Sequence, residues 1–218
     1  MNGYCSNLFF LLSSYLLILS AMKLIFATHN QHKADEIRHV IGSSYKLLTL
    51  KEAGIDIDIP EPYDTLEKNA SAKSMTIYQM THTNCFSEDT GLEVIALKGE
   101  PGVKSARYAG EEKSFDRNIE KLLFNLKDEN DTSARFRTVI SLVIDGREFL
   151  FEGACAGHII REKRGYQGFG YDPVFIPDGS DKTFAEMSLG EKSQFSHRKI
   201  ATEKLVTFLN NLEPKSKS

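Results

Sequence analysis

Short apolar runs alternate with stretches of helical period along most of this chain. Lys23 to Thr28, KLIFAT, is an apolar run of strand length, and it reads as a buried strand. Past His29-Asn30-Gln31-His32-Lys33, the residues Ala34, Ile37, Val40 and Ile41 recur at helical spacing. Asn30 is a candidate N-cap for that helix and Gly42 a candidate C-cap. Tyr45 to Leu50 predicts a second strand, and Lys51 to Asp64 a loop with Pro60, Pro62 and several acids, Glu61 among them. Thr65 caps the next predicted helix, whose apolar face is marked by Leu66, Ala70, Ile77 and Met80.

Cys85 starts a short strand that is expected to end at the adjacent acids Glu88 and Asp89, where Thr90-Gly91 makes a break. An alternating strand follows, with Leu92, Val94 and Ala96 on one side, and then a Gly- and Pro-containing loop with Lys104 and Arg107. Ser114 to Leu126 predicts a helix with Ile119, Leu122, Leu123 and Leu126 inward. Arg135 to Ile144 and Glu148 to Ile160 are strands joined at Asp145-Gly146, a two-residue hairpin signal. Gly153 and Gly157 suggest bulges or a bend in the second of them. Gly190 to Leu212 reads as one helix, with Ile200, Leu205, Phe208 and Leu209 inward.

Composition places limits on this picture. A chain of 218 residues suits one domain with a sizeable core, or one with two lobes. A formal net charge of −3, without a long Lys/Arg run, argues against a nucleic-acid polymer as partner. Cys5, Cys85 and Cys155 are too few and too scattered for a disulfide framework or a zinc site, and suit a reducing compartment. Leu8 to Ala21 is apolar but shorter than the roughly 20 residues a spanning helix needs. The segment before it lacks the Lys or Arg of a secretory signal. Residues 1–21 are therefore expected to lie upstream of a functional start at Met22, a true leader or membrane anchor being the alternative. The expected domain is 22–213, followed by a disordered tail over 214–218.

Three loops carry candidate chemistry. A strand, a polar loop and a helix N-terminus at residues 28–33 make an anion site, because free N–H groups and the helix dipole face the loop. Lys33 adds a mobile positive charge there. Glu88 and Asp89 can present a carboxylate to a metal-bound phosphate. Gly168-Phe169-Gly170-Tyr171-Asp172 is an irregular loop whose backbone can approach a ligand and whose aromatic ring can stack on a base. A capped helix, a polar turn and a core phenylalanine would explain each loop separately.

Four segments in order resemble the inosine triphosphate pyrophosphatase family, also called dITP/XTP pyrophosphatases. They are THNQHK at 28–33, SEDTGLEVIALKGEPGVKSARYAG at 87–110, GFGYDPVF at 168–175 and FAEMSLGEKSQFSHR at 184–198. The resemblance covers roughly residues 23–212. It implies an α/β fold, with a long mixed twisted sheet flanked by helices and two lobes around a central nucleotide cleft. It implies Mg²⁺-dependent hydrolysis of ITP, dITP and XTP to the monophosphate and pyrophosphate, by a cytoplasmic homodimer. The alternatives are a Maf-type pyrimidine or modified-nucleotide pyrophosphatase, or a nucleotide sensor with weak catalysis.

Carried over by motif, Thr28, His29, Asn30, Gln31, His32 and Lys33 form the substrate loop, with His29 where the family has glycine. Asp89 matches the catalytic, metal-binding aspartate, and Thr90 the adjacent substrate contact. Phe169, Gly170, Tyr171 and Asp172 match the base-contacting loop, and Lys192, His197 and Arg198 the basic substrate contacts. Glu61 or Glu67 supplies the second metal carboxylate, with Glu61 the choice made here. Arg198, which has only donors, is expected to favour a 6-keto purine over adenine.

Overall fold

The computed structural model describes residues 22–43 and 45–212. The apolar leader and the tail lie outside them, and no described helix is long and apolar enough to cross a membrane. The strands are β1 (Met22–Phe26), β2 (Tyr45–Thr49), β3 (Cys85–Val94), β4 (Pro101–Gly102), β5 (Ser133–Ile144), β6 (Arg147–Ile159) and β7 (Phe175–Pro177). The helices are α1 (Gln31–Ile41), α2 (Leu66–Thr81), α3 (Phe115–Asn125), α4 (Leu189–Ser193) and α5 (His197–Leu212).

One mixed sheet runs β2-β1-β3-β5-β6-β7, with β4 paired to β3. β1 is parallel to β2 and β3, and the remaining pairs are antiparallel. The two faces of β5 show how the layers form. Ile140, Leu142 and Ile144 join a core with Ile37 of α1 and Leu205 of α5. Val143, on the opposite face, packs with Ile77 of α2. Period-two alternation thus sends α1 and α5 to one face and α2 to the other. Farther along the sheet, Phe136, Phe175, Phe184, Leu92, Ile119 and Leu122 form the core of a second lobe.

Local signals act where expected. Asn30, Thr65 and Ser114 each accept a hydrogen bond from a backbone N–H in the first turn of their helix. Asp145 and Gly146 both take positive φ, as a tight hairpin turn requires.

Several expectations are corrected. β3 does not stop at Glu88-Asp89; it is one ten-residue strand paired with β5 from Cys85 to Val94. Gly91 is not a break: a Cβ there would lie 2.6 Å from the Gly102 carbonyl oxygen of β4. β6 has no bulge, since its register with β5 is continuous from Arg147 to His158. Gly153 instead lets α5 lie against the strand, because a Cβ would run into the His197 carbonyl and sit 2.6 Å from Ala201 N. The single helix expected from Gly190 is two helices, and Ser196 starts the second by accepting from Lys199 N–H at 3.3 Å. Ile200 and Met80, expected inward, are exposed.

Candidate active site

β1 ends at Phe26, opposite Phe86, while β3 runs on. Residues 88–90 therefore lie just beyond the carboxyl end of β1, where a crevice opens in such sheets. Because successive strand residues face opposite ways, Glu88 and Asp89 point to opposite faces of the sheet. Glu88 meets Lys33 Nζ of α1 at 3.0 Å and Arg198 of α5. Asp89 meets Lys73 Nζ of α2 at 3.2 Å. Lys73 also pairs with Glu61, and Arg107 Nη2 donates to the Glu61 carbonyl at 2.9 Å.

Two connected spaces result. A cavity of about 100 Å³ is lined by Phe169, Phe136, Lys192, His197 and Arg198, with Asn30, Lys33 and Thr90 at one end. A wider cleft of about 830 Å³ is lined by Thr28, His29, His32, Lys33, Glu61, Lys73, Glu88 and Arg107. Asn30, Lys33, Ala106 and Phe115 border both.

Behind the small cavity lies an ionic network. Arg198 is 1% exposed. Its Nε and Nη2 donate to Glu88 at 2.7 and 2.9 Å, and its Nη1 donates to Glu36. Lys192 Nζ donates to Glu36 and Asp172, each at 2.7 Å. Burial pushes the Glu36 carboxyl up, but Arg198 and Lys192 more than offset this and hold it at about 2. Glu88 is likewise held low by Arg198 and Lys33 against its burial. His197 is fully buried, which drives its pKa well down and keeps the ring neutral. That ring stacks on Phe136 at 4.8 Å between centroids, and its Nδ1 has no protein partner.

The Asp89 side of β3 differs. Burial raises the Asp89 pKa, Lys73 opposes this, and Glu61 adds to it. Lys73 is shared between the two carboxylates, and Arg107 Nη1 lies 3.6 Å from Glu61, so among the described residues Glu61 has a second cation and Asp89 does not. Asp89 Oδ2 is buried without a hydrogen-bond partner. An orphaned carboxylate oxygen beside a second carboxylate suits a hard, oxygen-seeking cation.

Most residues singled out in the sequence come together here. Two do not: Gln31 turns outward to Asp35, and Glu67 pairs with Arg137 on the far side of α2. His29 needs no left-handed conformation, and its Nε2 lies 2.8 Å from the Ile57 carbonyl oxygen. Tyr171 is buried, its hydroxyl donating to the Ser105 carbonyl, and Asp172 accepts from Phe169 N–H, so both brace the Phe169 loop. Glu36 was not foreseen. It lies about 100° around α1 from Ile37, off the stripe of Ala34, Ile37 and Ile41, so the helical period did not mark it as buried.

A nucleotide-sized crevice at the carboxyl end of a parallel strand pair, lined by lysines, buried acids and stacked aromatics, defines a phosphate-handling α/β protein. The chain belongs to the Ham1 family, whose profile matches residues 24–208. It is 49% identical over 189 residues to a dITP/XTP pyrophosphatase of Christiangramia forsetii, covering 87% of this chain and all of the relative. The solved Ham1 protein of Staphylococcus aureus is 41% identical, with a TM-score of 0.79 over 87% of this chain and 98% of that one. A HAM1 protein from Coxiella burnetii gives 34% and 0.80, over 87% and 99%. The family and the α/β fold expected from the sequence are thus the ones found.

Proposed function

We propose that this protein hydrolyses non-standard purine nucleoside triphosphates (ITP, dITP and XTP) to the monophosphate and pyrophosphate. The observation that carries the reading is the junction of a narrow aromatic cavity with a wide lysine-lined cleft, bordered by Lys33. In this reading the purine enters the cavity and the phosphates lie in the cleft against Lys33, Lys73 and the first-turn N–H groups of α1.

Phe169 stacks on the base. Four of the five Arg198 N–H groups already have protein acceptors, Thr90 Oγ1 being the weakest at 3.4 Å. One Nη1 N–H is left for a 6-keto oxygen, which adenine lacks. Neutral His197 offers its unpaired Nδ1 to the same cavity. Mg²⁺ is the proposed cofactor, with Asp89 and Glu61 as its protein ligands; bound there it would neutralise phosphate charge and acidify water. Asp89, whose Oδ2 has no protein partner, would orient the water that the metal acidifies. Lys73 holds Asp89 and Glu61 together. The cytoplasm suits the two free buried thiols, Cys85 and Cys155. The homodimer rests on the family resemblance and is checked by light scattering.

Pyrophosphate release from ITP, XTP, dITP, GTP, ATP and TTP, with and without Mg²⁺, tests the proposal. Release from ITP, XTP and dITP but not from ATP or TTP, lost on chelation, is expected, and GTP, which also carries a 6-keto oxygen, measures what the 2-amino group costs. Preference for TTP would favour the pyrimidine alternative. Binding of ITP without turnover would favour the sensor. In the same assay Asp89→Asn should lower kcat about 10²–10⁴-fold while ITP still binds.

A further inference from the structure

Phe115 is 44% exposed, although it heads the stripe Asn118, Ile119 and Leu122 by which α3 packs into the second lobe. Ile119 and Leu122 are almost wholly buried, so the stripe runs past the end of the core. There the Phe115 ring meets Phe169, with centroids 6.3 Å apart. From the other side of the crevice, His32 in the first turn of α1 stacks on the same ring at 5.3 Å and 18°. Phe115 borders both the small cavity and the wide cleft, and His32 borders the cleft. Three aromatic rings from three separate elements therefore converge where a bound nucleotide would pass from base to phosphates.

We propose that Phe115 and His32 form with Phe169 an aromatic clamp that closes on the purine, making Phe115 a substrate-affinity residue of this site. This rests on the purine reading above. What sets Phe115 apart from other exposed apolar residues, such as Phe124 on the same helix, is its ring contact with Phe169 at the mouth of the cavity. Ser114 caps α3 immediately before it, and Lys163 pairs with Asp116 immediately after it at 2.7 Å. The ring is thus carried on a pinned helix start rather than on a loose loop. His32 is exposed, and its side chain can rotate to admit a base. Every base has a π-face, so stacking favours purines as a class and does not separate keto from amino forms. That division of labour leaves the choice of base edge to Arg198 and His197.

Phe115→Ala, Phe115→Tyr and His32→Ala are compared with the unaltered protein. The readouts are KM and kcat for ITP, inhibition by inorganic tripolyphosphate, and the melting temperature. Phe115→Ala is expected to raise the KM for ITP roughly 5- to 10-fold, the lower part of the range for one lost base stack. The kcat should stay within about twofold, since the clamp touches no reacting atom. Tripolyphosphate, which has no base, should inhibit as before, and Phe115→Tyr should restore the KM. His32→Ala tests the clamp from α1 without altering α3, and so decides the matter if Phe115→Ala does not fold. An unchanged KM in a folded Phe115→Ala protein would overturn the clamp while the function stands. Equal losses for ITP and tripolyphosphate would overturn it in favour of a distorted phosphate cleft. If the unaltered protein releases no pyrophosphate from any purine triphosphate, the functional reading falls and the clamp with it.

Discussion

Arg198 joins two carboxylates from different elements, Glu36 of α1 and Glu88 of β3, and is itself almost wholly buried. The family resemblance implies a substrate contact, and the geometry makes Arg198 a strut. Removing it would leave two buried acids short of a partner, and breaking a buried pair costs about 3–5 kcal/mol. Arg198→Ala should therefore lower the melting temperature steeply and reduce turnover of every triphosphate through the folded fraction. A melting temperature within a few degrees of the parent, with ITP use selectively lost, would show that base contact is its main work. The sequence exposed Arg198 through a motif but not its burial, because burial depends on partners that are 110 and 162 residues away. Glu36 was hidden for the same reason: it lies off the apolar stripe of α1, and the cations that draw it inward are on α4 and α5.

Element packing brings those partners together. α5 crosses β6 at Gly153, and His197 and Arg198 are its first two residues. Gly153→Ala would force the helix start outward, at an overpacking cost of about 1–3 kcal/mol or more. Reduced kcat/KM for ITP together with a lower urea midpoint is expected. Full activity would show that the helix start can move without harm. The α1–α4–α5 contact also has a pH signature. The Glu36 pKa is about 2 in the folded chain, against an ordinary value of 4.5. A depressed carboxylate contributes stability that is present above 4.5 and lost as pH falls toward 2. Urea unfolding across that window should fall more steeply in the parent than in Glu36→Gln, which should also be less stable at pH 7. Parallel curves would remove Glu36 from the acid response. Helix caps and the hairpin were legible because each is a matter of neighbouring residues. The break assigned to Gly91 and the bulges assigned to Gly153 and Gly157 were misread because those glycines answer to another element pressing close.

At the scale of the whole molecule, the crevice exists because β1 is short and β3 is long. Adjacent Glu88 and Asp89 thereby serve opposite faces of one sheet, the first toward α1 and α5 and the second toward α2. The alternating pattern implied such a division only if the strand ran on through Gly91, which the sequence did not reveal. Every residue assigned to the proposed chemistry lies between Thr28 and Arg198, within the span matched by the Ham1 family. β1 pairs from its first residue, Met22 against Tyr45, and Leu24 and Phe26 are in the core. The Christiangramia relative is matched over its full length by 87% of this chain. A protein beginning at Met22 is therefore expected to fold and to work as the longer one does. Both forms should show melting temperatures within about 2 °C, a difference of about 0.5–1 kcal/mol for a domain of this size. Their kcat/KM for ITP should agree within about twofold. Fractionation of cells expressing each form supplies the third measurement, and both should appear with the same soluble material. If only the longer form is active, residues 1–21 contribute to the fold or the site. If the longer form sediments with membranes while the shorter does not, they act as an anchor.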